Sequence, residues 1–382
     1  MAYSHPSIRP DDKIDRDPIA SFQGLEGAHY WEECFGMRSF RRSFFAVLVA
    51  VATLFGTALP ATAAEDHKAV DLPIARFSDI LVDPGLGHVF VSSSEENTVV
   101  VTDLTGTVVT KLENLQGAGG LALSPDGDTV FVALSLDGAI AAIDTLTLEE
   151  TARHSVGWLC PSTLSITGNM LYFGYGCEIW REGNVGSAVI GPVFGDVKTG
   201  LLPRNESTVP LVATSPARPD LFATGIPDVS PTRLKIHQVS GDTVTERAST
   251  WTGGYVRDLE MSTDGSLLYA ATSGPPYQLR TFTTDNLAER QAYRLNAYPG
   301  AVAVSRDTSA LAAGATSTDA QDVFTYRNGS YSPSRQYDFA TLQANRKLLA
   351  PGGLAWGPGG KWLYAATFDH DIPGVTLNIL RA

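Results

Sequence analysis

The chain has 382 residues, a formal charge of −13 from 28 Lys+Arg against 41 Asp+Glu, and 36 Gly, 22 Pro and 3 Cys. That charge argues against nucleic-acid binding, which needs basic side chains to displace counterions from phosphates. At 43% hydrophobic and 18% charged, the chain is also too apolar to be disordered, and its Gly and Pro content, about 15% together, suits a turn-rich β protein.

The N-terminal segment, residues 1–36, reads as neither exported nor folded, an extension ahead of a start at Met37. Residues 37–64 follow as a secretory signal peptide. Arg38, Arg41 and Arg42 precede an apolar run from Ser43, and Ala61, Ala63 and Ala64 form a small-residue exit. The competing reading is a membrane anchor, but the run is short for a span of about 20 residues and Pro60 breaks its end. Phe40 to Phe45 also resembles a twin-arginine signal, while Arg pairs occur in ordinary signal peptides too. After cleavage no integral membrane span is expected. The remaining 22 basic and 34 acidic side chains keep the chain at −12.

From residue 66 to 382 one phrase recurs: a short apolar strand, a turn, then a strand reading apolar-aromatic-apolar-small. Copies begin at Asp79, Gly120, Ser162, Leu211, Asp258, Ala301 and Gly353, 41 to 52 residues apart. Turn chemistry such as Pro125-Asp126-Gly127, Thr263-Asp264-Gly265 and Pro358-Gly359-Gly360 falls at the same place in each. Third strands follow, for example Asn97 to Asp103 and Gly138 to Asp144, and then more polar fourth strands. This period, with several strands per copy, predicts an all-β fold, a seven-bladed β-propeller. Irregularity after Trp180 leaves six or eight blades open. The last copy lacks a fourth strand, and Ala69 to Arg76 is unused ahead of the first. Pairing this N-terminal strand with the last blade closes the ring and removes an open edge.

Cys34 falls in the leading segment, leaving Cys160 just before one predicted strand and Cys177 just after the next. An exported chain with an even pair favours a disulfide, with two buried thiols, or a metal pair without visible partners, as the alternatives. The expected location is secreted or extracellular, with association to the cell envelope open.

Val89-Phe90-Val91-Ser92-Ser93, Asn97 to Asp103 and Ala139 to Thr145 resemble the strand phrases of the YVTN family of bacterial propellers, known in surface-layer and secreted proteins. The resemblance weakens after about residue 157. It implies a propeller fold and says little of activity, since propellers host binding, lyase, lactonase and dehydrogenase functions alike.

Propeller sites usually lie where the inner strands open. The residue pairs at those points are Ser78-Asp79, Gly119-Gly120, Cys160-Pro161, Pro210-Leu211, Arg257-Asp258, Gly300-Ala301 and Gly352-Gly353. Charge appears only at Asp79, Arg257 and Asp258. Glu260 stands where the other copies carry Leu81, Ala122, Thr163, Ala213, Ala303 or Ala355. A buried carboxylate is costly unless paired, so an Arg or hydroxyl partner is expected for it. Arg257, Asp258 and Glu260 read either as a polar ligand-binding cluster or as an ion pair locking adjacent blades. Trp158, Tyr255 and Tyr298 precede inner strands and are candidates for a stacking platform on one rim. No catalytic residue, metal ligand or cofactor is assigned, because the His residues are scattered and no nucleophile pattern is visible. Asp126-Gly127-Asp128 and Asp369-His370-Asp371 are weak Ca²⁺ candidates that read first as turns. The expected function is a non-catalytic binding or cell-surface interaction module, its ligand (carbohydrate, peptide or cell-envelope component) at the channel mouth. A metal-dependent, lactonase-like hydrolase or a lyase is the alternative.

Overall fold

The computed structural model describes residues 66–382 except 178–181, 192, 228, 296–297, 308, 317–321, 328 and 340–346. The expected N-terminal extension and signal peptide lie outside the described residues. The described chain forms seven four-stranded antiparallel sheets. The first six blades each use four consecutive strands from the inside outward. Their inner strands are Asp79–Asp83, Ala118–Leu123, Pro161–Thr167, Leu211–Thr214, Val256–Met261 and Pro299–Val304.

Blade 7 is made differently. Its inner strand is Lys347–Trp356, followed by Trp362–Asp369 and Val375–Arg381, and its outer strand is the N-terminal His67–Leu72. That strand pairs antiparallel with Val375–Arg381, Val70 opposite Leu377. The ring therefore closes as expected, with one adjustment: the closing strand spans His67–Leu72 and not Ala69 to Arg76. Pro73 has no N–H to donate, so the ladder stops before it. Asn378 holds the seam from within: its Oδ1 lies 2.9 Å from His67 Nε2, and its Nδ2 donates to Thr367 Oγ1 at 2.9 Å. Blade 3, whose irregularity left the count open, is complete, with third and fourth strands Asn184–Val189 and Gly195–Lys198.

The core lies between blades. Inner and second strands are apolar on both faces because each sheet is covered on both sides. Phe90, Val99 and Val101 of blade 1 pack with Leu121, Val130, Val132 and Ile143 of blade 2. Val82, Val89 and Val91 pack on the other side with Tyr364, Leu377 and Ile379 of blade 7. Burying such a side chain contributes roughly 1.5–3 kcal/mol each, and no single layer dominates.

The recurring turn motif has a specific cause. In blade 2, Ser124 Oγ donates to Asp126 Oδ1 (2.5 Å) and accepts from Thr129 N–H (3.0 Å), while Gly127 takes φ +84°. Ser262 and Asp264 repeat this in blade 5, and Ser305 and Asp307 in blade 6. The serine and aspartate satisfy backbone donors that the tight turn leaves without strand partners. Asp369 Oδ1 likewise accepts from the N–H groups of Asp371 and Ile372. The two weak calcium candidates therefore act as turns.

Cys160 and Cys177 form a disulfide with Cα atoms 5.2 Å apart. It joins the segment entering blade 3 to the loop leaving that blade's second strand. A structural disulfide belongs to an oxidising environment. Among the described residues no helix is long and apolar enough to cross a membrane.

Candidate functional site

The inner strands surround a central cavity of about 1030 Å³, and a second of about 370 Å³ shares Asp79, Asp258, Glu260 and Arg306 with it. Strand pairing sets which side chains stand level in the wall. Asp79 pairs with Ser92, Thr163 with Gly174, Val212 with Thr224, Asp258 with Ala271 and Ala301 with Gly314. One step deeper, Leu81, Ala122, Ser165, Thr214, Glu260, Ala303 and Ala355 share a ring, each opposite the equivalent second-strand residue. The sequence alignment is therefore off in two blades. Thr163, not Pro161, stands level with Asp79, and Ser165 and Thr214, not Thr163 and Ala213, stand level with Glu260. In blade 3 the register shifts between Pro161 and Thr163, and composition alone does not reveal such a bulge.

The three channel carboxylates share one local design. Asp79 accepts Ile80 N–H at 2.8 Å and reaches blade 2 to accept Leu121 N–H at 2.7 Å. Asp258 accepts Leu259 N–H and, in blade 6, Val302 N–H, both at 2.8 Å. Glu260 Oε2 accepts Val304 N–H, also in blade 6, at 2.8 Å. In place of the Arg or hydroxyl expected beside Glu260, the carboxylate holds a backbone N–H of the next blade. These groups do lock adjacent blades, but through main-chain hydrogen bonds.

All three line the central cavity within the ring of blades, and the enclosing protein penalises their charge. Desolvation pushes Asp79 up to about 7, against its two N–H bonds, and the charge of Asp258 pushes the same way. Asp258 rises to about 6 by desolvation. Desolvation raises Glu260 well above the usual carboxylate range, with Asp258 adding repulsion. Arg257 lines the cavity toward its mouth, its guanidinium 5.1 Å from the centre of the Tyr255 ring. Arg306, on the turn after the inner strand of blade 6, lines the opposite end. In blade 7 the inner ladder shifts register between Leu349 and Leu354. That bulge places Pro351 and Gly352 in the cavity wall. Gly352 has φ +67°, and a Cβ on it would lie 4.0 Å from the Asp258 carboxyl.

The aromatic candidates separate. Trp158 is 93% exposed, beside the disulfide of blade 3. Tyr255 and Tyr298 belong to blades 5 and 6, where Tyr298 meets Tyr277 edge-on at 5.0 Å. Tyr277 and Tyr298 have φ of +57° and +24°, unusual for bulky residues. The cavity lining, drawn from the inner strands and the turns at their ends, includes none of these rings. Ser165, Thr214, Arg306 and the bulge at Pro351 were missed from sequence, while Thr163 and Gly352 were placed among the inner strands without a role. A visible signal existed for Thr163 and Ser165, whose two-residue spacing repeats that of Asp258 and Glu260.

His237 is buried in blade 4, its ring stacked 4.7 Å from Phe222 and its Nε2 2.9 Å from Thr224 Oγ1. Desolvation pulls it down to about 3, so it stays neutral in the core. Among the described residues no cluster of three or more His, Cys, Asp or Glu side chains is arranged to hold a metal ion.

No family model matches the chain, and no curated protein matches it significantly. Solved structures do. The β-propeller domain of Myceliophteria thermophila Cps50 (Swd1) is 14% identical, with 82% of this chain and 100% of that one covered at a TM-score of 0.61. A hydrazine synthase of Kuenenia stuttgartiensis is 16% identical over 82% and 97%, TM-score 0.60. A streptogramin B lyase is 14% identical over 82% and 98%, TM-score 0.61. At such identities the likeness establishes the class, a seven-bladed β-propeller, and nothing finer.

Proposed function

We propose that this propeller is a secreted, non-catalytic binding module that takes a small hydrophilic ligand into its central channel. The observation that carries this reading is the cavity of about 1030 Å³ with Asp79, Arg257, Asp258 and Glu260 in its wall. Large concave sites with a few convergent polar groups are the usual places for ligands. The disulfide and the basic-apolar leader in the sequence support export. The strand phrases of the first two blades support kinship with YVTN-type secreted propellers.

The channel carboxylates already accept main-chain N–H bonds, and hold adjacent blades in register by doing so. Fixed by those bonds, the acids are not drawn together around one point, which favours recognition over the metal-dependent hydrolase or lyase reading. Isothermal titration of sugars, amino acids, amines and short peptides against the protein tests the proposal. Saturable binding whose affinity changes with Arg257→Ala is expected. Absence of any saturable ligand, or a turnover abolished by chelation, overturns it.

A further inference from the structure

Resting on that reading, we infer that the channel ligand carries an ammonium group, a cationic nitrogen with several N–H donors, which settles against Glu260 and Asp258. The first argument is an account of donors and acceptors in the wall. At the level of Asp79 and Asp258, Thr163 Oγ1 donates its proton to Pro210 O at 2.9 Å. Just above, Ser162 Oγ donates to Cys160 O. At the level of Glu260, Thr214 Oγ1 donates to Ile166 O at 2.8 Å, which makes Ser165 Oγ the donor in its 2.8 Å bond to Thr214 Oγ1. Every one of these hydroxyl protons is committed to the protein, so the hydroxyls offer the cavity lone pairs. Once ionised, as a cation beside them favours, the carboxylates offer lone pairs as well. At these two levels, between the arginines of the cavity ends, the wall is rich in acceptors and is best met by a ligand group that brings donors.

The second argument concerns charge. Gln at position 260 would accept Val304 N–H as well as Glu does, since only Oε2 makes that bond. The carboxylate thus burdens the fold with a desolvated charge that the blade contact does not require. Groups that cost stability in this way concentrate at functional sites. A cation beside Glu260 and Asp258 removes their mutual repulsion and replaces lost hydration with charge-assisted hydrogen bonds. The positive charges of the cavity, Arg257 and Arg306, stand toward its two ends, and the negative stretch lies between them. Among the described residues no three acids are placed to hold one metal ion, whereas an ammonium group needs only the two acceptors Glu260 and Asp258.

The matched pair glucosamine and glucose, with N-acetylglucosamine and 1,4-diaminobutane beside them, tests this by calorimetry at pH 7.5 on the intact protein. Glucosamine is expected to bind about tenfold or more tightly than glucose and N-acetylglucosamine, as one charge-assisted bond implies, and diaminobutane to compete with it. Glu260→Gln should remove that preference while keeping the wild-type circular dichroism, and Asp258→Asn should weaken it independently. Equal binding of glucose and glucosamine overturns the ammonium assignment and leaves the binding reading standing. Binding of neither amine overturns it too, and the broader ligand panel then decides the binding reading separately. Displacement of the amines by low Ca²⁺ would assign the acids to a metal ion instead.

Discussion

Two groups of aspartates in this protein have nearly the same hydrogen bonds and opposite electrostatics. At the inner-strand turns, Asp126, Asp264 and Asp307 each accept a serine hydroxyl and a backbone N–H. In the channel, Asp79 and Asp258 each accept two backbone N–H bonds at 2.7–2.8 Å. The Ser124 hydroxyl, followed by the Asp128 N–H, lowers the pKa of Asp126, and the hydroxyls of Ser309 and Ser305 bring Asp307 down to about 2. Desolvation takes Asp79 the other way, to about 7. Hydrogen bonds alone therefore do not set the direction. The turns stand in bulk water, where ionisation costs little and the donors win. The channel acids line a cavity enclosed by the ring, and the loss of hydration there outweighs the same donors.

The largest effect expected is one that involves neither group and sets the scale for both. Replacing Cys160 and Cys177 together by Ser opens a crosslink with a sequence separation of 17, which should cost about 3 kcal/mol in urea unfolding. A loss below about 1 kcal/mol would mean that the hydrogen bonds at the entry to blade 3 suffice without it.

Next come the channel acids. Their folded pKa values lie above the unfolded ones, so the folded state holds more protons between pH 4 and about 7, and their contribution to stability falls as pH rises through that window. Glu260→Gln should raise stability at pH 8 by about 1–2 kcal/mol and change little at pH 4. Asp79→Asn should gain less. Both its oxygens accept N–H bonds, and an amide NH₂ in place of one would face a donor. A Glu260→Gln variant that is no more stable at pH 8 than wild type would show that the channel does not penalise charge.

At the turns the sign reverses. With pKa values below the unfolded ones, Asp126 and Asp264 stabilise the fold above about pH 4 and lose that contribution as pH falls further. Ser124→Ala or Ser262→Ala should each cost about 1 kcal/mol at pH 7 by thermal unfolding. The cost should shrink toward pH 2, as the carboxylates protonate. A cost that is constant with pH would mean that the serine acts only through its bond to the strand N–H. Smallest of all, Trp158→Ala should leave stability within about 0.5 kcal/mol, since the ring is 93% exposed.

Much of this was legible in the residues. The turn motif, the spacing of its copies, the missing last strand and the pair Cys160 and Cys177 are local signals with local causes, and each marks the element it forms. Asp79, Asp258 and Glu260 were visible as charges in an apolar column. Their partners were not, because Leu121, Val302 and Val304 offer only main-chain N–H groups, which every residue but proline has. The bulge between Pro161 and Thr163 was equally silent, and it moved two hydroxyls of blade 3 into the acid rings. Nor did the repeat show how the aromatic candidates are spaced: Tyr255 and Tyr298 stand on the neighbouring blades 5 and 6, and Trp158 on blade 3.

By itself, then, the sequence determined the repeat, its strand order and the closure of the ring, because period, turn chemistry and the need to bury apolar strands on both faces leave few other solutions, and it favoured the disulfide that the structure shows. Only the tertiary structure decided what the charges do. Strand register placed Asp79, Asp258 and Glu260 around one cavity, main-chain donors of neighbouring blades fixed them there, and the surrounding protein raised the cost of their ionisation. Those effects depend on which side chains stand level across a closed ring, and no property of the linear chain records that.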